Sequence, residues 1–258
     1  MSAEERLLHR VENRVLTLTL NRPHKRNALD SHTVQALKAA LVQARTDSAV
    51  RVVLLRGAGP DFCAGADLVE MDRITSMGPE KIHADALRMG DLFVQMRDLT
   101  KPLVAAVHGR ALGGGCGLAT ACDVVLVRED AELGYPEVHL GFVPALVMTV
   151  LRRKVPEGRV FELATLGERF SAADALAWGI ATRVMPANDF EGSVMAYATE
   201  LARRAPSSVA LSKTLLYDLD SLGFKDGIAR AAQINVAARL THTCREGVRR
   251  FLERKKRD

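Results

Sequence analysis

Apolar residues along this chain fall into short runs separated by stretches of helical period, and this alternation predicts an α/β core. Runs that alternate or are continuously apolar predict buried strands at 15–20, 52–57, 103–107 and 124–127. Between the first two runs, apolar residues recur at helical spacing from Val34 to Ala44, and Asp30 or Ser31 can cap that helix. A helix between two such strands indicates a βαβ crossover and parallel strand pairing.

The second half of the chain is predicted to be mainly helical. Beyond about residue 157 strand signals are scarce, Ser171 can cap a short helix, and four helical patterns follow at 188–204, 207–220, 224–240 and 243–256. We therefore divide the chain into a core at 1–190 and a helical region at 191–258. Residues 72–85 are polar and weakly periodic, and they are expected to form a mobile lid.

The composition limits the class of protein but does not indicate which reaction it catalyses. The 258 residues are 48% hydrophobic, enough for one large globular domain. No apolar run is long enough for a membrane span, and the N-terminal segment carries acids instead of an apolar signal core, so a cytoplasmic protein is expected. The four cysteines lack ligand spacing, so neither a metal site nor disulfides are expected. His108 and His139 have no partner in sequence and are expected to be structural.

Much of the net charge of +5 lies at the C-terminus. Residues 245–258 hold seven Arg or Lys against three acids. Such a helix can be a solvated face, a nucleic-acid patch or a clamp on a phosphorylated ligand. Aromatic residues make up only 5% of the chain and no nucleic-acid motif is present, so a nucleic-acid partner is not expected.

Two glycine- and alanine-rich loops form the candidate functional site. Gly113, Gly114 and Gly115 follow the strand at 103–107 and precede a small apolar helix, while residues 59–68 form a similar loop after the strand at 52–57. A bare turn before a helix presents free N–H groups, which can hold an anion or a developing oxyanion. Alternatively, the glycines serve only close packing. Two loops of this kind could each contribute one N–H to a single carbonyl oxygen.

Five segments resemble the enoyl-CoA hydratase/isomerase (crotonase) superfamily in order and spacing. They are NRPHKRNAL at 21–29, DFCAGADL at 61–68, KPLVAAVHGRALGGGCGLATACD at 101–123, GYPEVHLGFVP at 134–144 and FLERKKR at 251–257. The resemblance implies an α/β fold with a crotonase-like ββα superhelix core and a C-terminal helical trimerisation region. It also implies an acyl-CoA substrate, with no cofactor beyond the coenzyme A of that substrate, and trimers or dimers of trimers.

The same resemblance assigns site residues. It implies that the N–H groups of Ala64 and Gly114 form an oxyanion hole and that Glu137 is the catalytic acid or base. The acyl-CoA would be bound along the two loops and by residues near its phosphates, with C-terminal residues closing over it. Those binding residues would be Lys25, Arg26, Ala64, Gly65, Ala66, Asp67, Leu68, Gly114, Phe251 and Arg254.

One position departs from the family pattern and leaves the reaction open. Family hydratases commonly carry a second glutamate where this chain has Gly117, so Glu137 would be the sole carboxylate. Gly117, Glu137 and Pro144-Ala145 together resemble bacterial methylglutaconyl-CoA hydratases. Three alternatives remain: a hydratase acting on a 2-enoyl-CoA, a Δ3,Δ2-enoyl-CoA isomerase with one acid/base, and a non-catalytic CoA- or RNA-binding trimer.

Overall fold

The computed structural model describes residues 5–255, and their strands form two sheets. The larger sheet contains, in spatial order, β1 (Leu7–Glu12), β2 (Val15–Leu20), β3 (Val52–Gly57), β4 (Leu103–Val107), β6 (Val124–Arg128) and β9 (Arg183–Met185). The smaller sheet contains β5 (Arg110–Leu112), β7 (Glu132–Gly134) and β8 (Arg169–Ser171). All neighbours in the larger sheet are parallel except the β1–β2 hairpin. The parallel pairing predicted from the βαβ pattern is confirmed.

Helices surround the larger sheet and complete the C-terminal part. In chain order they are α1 (Ser31–Thr46), α2 (Leu68–Thr75), α3 (Pro79–Asp98), α4 (Gly114–Thr120), α5 (Ala145–Leu151), α6 (Glu157–Leu166), α7 (Ala172–Ala177), α8 (Phe190–Ala202), α9 (Pro206–Asp218), α10 (Phe224–Leu240) and α11 (His242–Arg254). A 3-10 helix at Pro136–Leu140 follows β7. The α/β class predicted from the sequence is confirmed.

The main strands form because their apolar residues are buried on both faces of the sheet. Every residue of β4 is buried, as are four of the six in β2 and five of the six in β3. One face packs against α1, α3 and α4, and the other packs against α8 through Phe190, Val194 and Ala198. Continuous apolar runs are expected for parallel strands covered on both sides. All four strongly apolar runs were therefore predicted correctly.

Helix caps confirm two of the predicted helix starts. The Asp30 carboxylate accepts a hydrogen bond from the Thr33 amide at 2.8 Å, and Ser171 forms a capping box with Asp174 at the start of α7. The interval 72–85, expected to form a mobile lid, is largely helical, because α2 and α3 occupy most of it. Pro79 at the first position of α3 favours a helix start there. The mobility of this interval stays a prediction.

The C-terminal helices join the core through one buried ion pair. Lys213 of α9 donates to Asp123 at 2.7 Å and to the carbonyl oxygens of Met96 and Lys101. The division of the chain at residue 190 stays a prediction. No helix within residues 5–255 is long and apolar enough to cross a bilayer. Predictions about the N-terminal segment and the basic tail fall partly on residues 1–4 and 256–258, which lie outside the described residues.

Candidate active site

The loop at 61–67 runs as an extended segment between two other parts of the chain. On one side Cys63 pairs with Ala111 of β5 in a parallel bridge. On the other side Leu29 pairs with Ala66, donating its N–H to the Gly65 carbonyl at 2.8 Å. The loop is therefore fixed by backbone hydrogen bonds from both sides, and it brings the first glycine-rich loop beside the second.

The structure corrects the first predicted oxyanion donor. The Ala64 N–H donates to the Arg26 carbonyl at 2.9 Å, so it already has an acceptor. Gly65 then adopts a φ of +102°, a conformation that favours glycine, and reverses the direction of the next amide. Within the described chain, the N–H of Ala66 donates no hydrogen bond. The sequence placed Ala66 only along the CoA path, but its N–H is free and its nitrogen lies close to the Gly114 turn, so Ala66 is the candidate donor of this loop.

Gly114, the second predicted donor, also has a free amide. Gly114 begins α4, and within residues 5–255 its N–H likewise donates to no acceptor, as expected for the first turn of a helix. A Cβ placed on Gly114 would lie 3.9 Å from the Ala66 nitrogen. The two free amides are thus neighbours, and a single oxygen can accept from both.

The Glu137 carboxylate lies over the same turn. Gly113 has a φ of +52°, and a Cβ there would lie 3.1 Å from Glu137 Oε1, so any side chain would meet the acid. The Gly113 N–H donates to the Gly134 carbonyl at 2.8 Å, which ties the turn to the segment that carries Glu137. A carboxylate and two free amides therefore meet around one small space.

Burial makes Glu137 a better base than an ordinary glutamate. Its Oε2 is buried and has no hydrogen-bond partner among the described residues. Burial raises the pKa of Glu137 above the ordinary value of 4.5, and a hydrogen bond from its own backbone offsets only part of that effect. A raised pKa brings a carboxyl group closer to the range in which it can both accept and return a proton.

Val147 fills the space where a second acid would stand. A Cβ placed on Gly117 would lie 2.4 Å from Val147 Cγ2, far inside ordinary contact distance. Val147 lies on α5 and is 5% exposed. No side chain fits at position 117 unless this valine moves. Glu137 is therefore the acid adjacent to the glycine turn, and apolar packing closes the opposite side.

Two buried polar residues that the sequence analysis did not single out hold the site loops together. Arg22 donates to Asp67 at 2.9 Å and to the Ala28 carbonyl at 2.7 Å. Asn27 donates from its side chain to the carbonyls of Ala58 and Asp61, both at 2.8 Å. A polar segment such as 21–29 next to a strand indicates a loop, but its buried partners cannot be read from the sequence.

The predicted binding residues lie in two places, around the 61–67 loop and on the C-terminal helix α11. Lys25 and Arg26 lie exposed near the 61–67 loop, and Leu68 is 55% exposed at the start of α2. Asp67, also predicted to bind substrate, instead caps α2 and pairs with Arg22. Phe251 and Arg254 lie on α11, which packs on α10. In the described chain no hydrogen bond or ion pair connects either residue to the two loops.

The two histidines bond to backbone carbonyls. His108 Nε2 lies 2.9 Å from the Gly59 oxygen, and His139 Nε2 lies 3.2 Å from the Gly167 oxygen. These contacts agree with structural roles for both residues. Within residues 5–255, no cluster of three or more His, Cys, Asp or Glu side chains is placed to hold a metal ion.

Comparison with known proteins identifies the family. The model of the enoyl-CoA hydratase/isomerase family matches residues 10–258. The 2,3-dehydroadipyl-CoA hydratase of Escherichia coli is 34% identical over 250 residues, covering 96% of this chain and 95% of that protein. The short-chain-enoyl-CoA hydratase of Clostridium acetobutylicum is 34% identical over 204 residues, 78% of this chain and 77% of the relative.

A solved structure agrees with the sequence relatives. The crystal structure of an enoyl-CoA hydratase from Mycobacterium smegmatis superposes with a TM-score of 0.92 at 31% identity, over 97% of both chains. The family match, the relatives and the fold therefore lead to one conclusion. The chain is an enzyme of the enoyl-CoA hydratase/isomerase family.

Proposed function

We propose that this enzyme adds water reversibly to a 2-enoyl-CoA, using the amides of Ala66 and Gly114 and the carboxylate of Glu137. The observation that carries the proposal is that, within residues 5–255, two unpaired amides lie at one turn with a carboxylate whose buried Oε2 has no hydrogen-bond partner. Relatives named as enoyl-CoA hydratases support the same reaction class.

The two amides would stabilise negative charge on the thioester oxygen. The carbonyl oxygen accepts hydrogen bonds from both N–H groups, and these bonds strengthen as the oxygen becomes an enolate. Losing one such donor typically costs about 3–4 kcal/mol of transition-state stabilisation. Because both amides are fixed by backbone pairing, they need no reorganisation during the reaction.

Glu137 would carry out both proton transfers. Its carboxylate takes a proton from water, the water oxygen bonds to Cβ, and the electrons of the double bond move to the carbonyl oxygen. The protonated Glu137 then gives its proton to Cα, and the carbonyl re-forms. The sum is one water added across the double bond, with Glu137 returned to its starting state.

The contact between Gly117 and Val147 favours isomerisation as a second candidate. With one carboxylate, the same group can remove a proton from C2 of a 3-enoyl-CoA and return it to C4, which moves the double bond into conjugation. This reaction needs no water and no second acid. The same two amides would stabilise the dienolate formed between the two steps.

Two substrates and two glutamate variants test these reactions. We expect the enzyme to consume a 2-enoyl-CoA with formation of the 3-hydroxyacyl product; conversion of a 3-enoyl-CoA without hydration would instead establish the isomerase. Glu137→Gln is expected to lower kcat by about 10²–10⁴-fold while CoA binding persists. Glu157→Gln, an exposed acid at the start of α6, is the matched control. Full activity of Glu137→Gln would overturn both reactions.

A branched acyl group such as 3-methylglutaconyl is the narrower substrate proposal. Its second carboxylate would need a cation, and two of three arginines in this region are engaged: Arg88 by Asp85 and Arg153 by Asp220. Arg152 has no ion pair within the described residues. If it binds the carboxylate, Arg152→Gln raises KM for 3-methylglutaconyl-CoA and leaves KM for crotonyl-CoA unchanged. Equal effects on both substrates would exclude this assignment.

We also propose that the protein forms oligomers and that C-terminal residues close over the bound CoA. Apolar side chains lie exposed along α9, α10 and α11, including Phe224 at 87% and Phe251 at 62%. Exposed apolar patches often mark interfaces between proteins, and we expect a trimer or a dimer of trimers in solution. Phe251 and Arg254 would then meet the CoA bound by Lys25 and Arg26 of one subunit. Light scattering during size-exclusion chromatography tests the assembly, and a monomer at micromolar concentration would contradict it.

A further inference from the structure

The proposed reaction does not use Tyr135, a buried residue with a hydroxyl group that lies close to Glu137 in the sequence. It immediately precedes Pro136 and Glu137 and is completely buried. Its ring packs on Phe170, with centroids 6.1 Å apart, and its hydroxyl lies 3.0 Å from Thr120 Oγ1. Buried tyrosine hydroxyls need a hydrogen-bond partner. Here that partner belongs to α4, the helix that begins with the Gly114 amide.

The direction of each hydrogen bond follows from the partners. Thr120 Oγ1 lies 2.8 Å from the Cys116 carbonyl, and a carbonyl can only accept, so the threonine hydroxyl donates there. Its oxygen is then free to accept, and the Tyr135 hydroxyl is the donor. The Tyr135 hydroxyl, the Thr120 hydroxyl and the Cys116 carbonyl therefore form one chain of two hydrogen bonds with each proton assigned.

This chain joins the two halves of the site at a second point. At the N-terminal end of α4, the Gly113 amide already bonds to the Gly134 carbonyl. At its C-terminal end, Thr120 bonds to Tyr135. The α4 helix has seven residues, and its buried side chains pack in the core, so the two hydrogen bonds add polar contacts to that packing. These two hydrogen bonds, both to residues 134–135, restrain the rotation of α4 relative to Glu137.

We propose that Tyr135 and Thr120 are a positioning pair that holds the Glu137 carboxylate at its working distance from the Gly114 amide. The proposal rests on the proposed function, since it assumes that these two groups act on one substrate. It does not depend on whether that substrate is hydrated or isomerised.

Removal of single hydroxyl groups tests the pair. Tyr135→Phe keeps the ring and is expected to lower kcat roughly tenfold, because small displacements of reacting groups have large effects on rate. KM for the acyl-CoA should stay within about twofold, since the binding amides remain. Thr120→Val should have the same effect as Tyr135→Phe, and the double variant should be no worse than either. Thr120→Ser keeps the hydroxyl group, and its kcat should equal that of the wild-type enzyme.

A pH profile separates positioning from general loss of structure. If Glu137 loses its fixed place, water reaches it, and the acid limb of kcat moves to lower pH in Tyr135→Phe and Thr120→Val. Tyr197→Phe is the matched control, because that hydroxyl on α8 has no hydrogen bond in the described chain and lies on the opposite face of the sheet. It should leave kcat and the pH profile unchanged.

The outcomes distinguish this inference from the proposed function. Absence of turnover by the wild-type enzyme on both enoyl-CoA substrates would contradict the proposed function. Wild-type turnover that depends on Glu137 but is unchanged in Tyr135→Phe would overturn the positioning pair alone. If Tyr135→Phe does not fold, the comparison of Thr120→Val with Thr120→Ser decides: equal kcat in these two variants overturns the pair, and loss in the valine variant alone supports it.

Discussion

Gly117→Ala should destabilise the protein, although replacing a glycine inside a helix by alanine usually stabilises it. A Cβ there would lie 2.4 Å from Val147 Cγ2 and 3.2 Å from two other atoms of the same side chain. Val147 is β-branched and helical, so it has one strongly preferred rotamer and cannot turn aside. Overpacking of this kind costs about 1–3 kcal/mol. Alanine regains about 0.8–1 kcal/mol of helix propensity, so Gly117→Ala should lose up to about 2 kcal/mol.

The double variant shows whether this contact is the cause. Val147→Ala alone removes two buried methyl groups and should cost about 2 kcal/mol. In Gly117→Ala/Val147→Ala the new methyl group no longer meets Cγ1 or Cγ2, keeps only a tight 3.2 Å contact with the Cβ of residue 147, and fills part of the cavity. The two changes should therefore offset each other, with a coupling of about 1–3 kcal/mol.

Melting temperatures at one fixed protein concentration measure these effects, since oligomers melt in a concentration-dependent way. Gly158→Ala is the control: it makes the same change in α6, where a Cβ would meet nothing within 4 Å. It should be neutral or stabilising. If Gly117→Ala behaves like Gly158→Ala, or if the double variant is simply additive, Val147 does not close the space beside position 117.

Three further predictions address the donors, the acid and the scaffold. Replacing the backbone amide of Ala66 by an ester should lower kcat by about 10²–10³-fold, whereas the same change at Ala64 should chiefly lower the melting temperature; the reverse pattern would restore Ala64 as the donor. Because burial raises the pKa of Glu137, the ionised acid is disfavoured in the fold. The acid limb of kcat should therefore lie above pH 4.5, and Glu137→Gln should melt higher than wild type at pH 7; a lower melting temperature would refute this. Lys213→Met should cost about 3–5 kcal/mol in urea unfolding by leaving Asp123 without its cation, against less than about 1 kcal/mol for Lys38→Met at an exposed pair; equal losses would show that burial does not matter here.

Elements with a strong local signal were predictable from the sequence. β2, β3, β4 and the helix at Ser31–Thr46 each combine a long apolar pattern with a clear boundary residue. The short strands of the smaller sheet were missed, because three residues hold too little pattern to distinguish a strand from a loop. β1 was missed for a different reason: five of its six side chains are exposed, and only its pairing with β2 defines it.

The site was predictable in its parts but not in its geometry. The glycine turn, Gly114 and Glu137 are each visible in the sequence, and the structure brings them together. The choice of Ala64 was wrong because the direction of an amide depends on the φ of the residue before it, here Gly65. The partner of Gly117 could not be predicted, because Val147 is 30 residues away and meets it only through the packing of α5 on α4.

The contact between Gly117 and Val147 connects packing to reaction class. A glycine at position 117 taken alone would leave a gap that water or another polar group could enter. With Val147 in that gap, the wall opposite Glu137 is apolar, and a charge placed there would be costly. In either proposed reaction, proton transfer would therefore rely on Glu137, whose raised pKa suits it to accept and return the same proton. Gly117 and Val147 fit each other in the packed core, and this contact leaves no room for an acid at position 117.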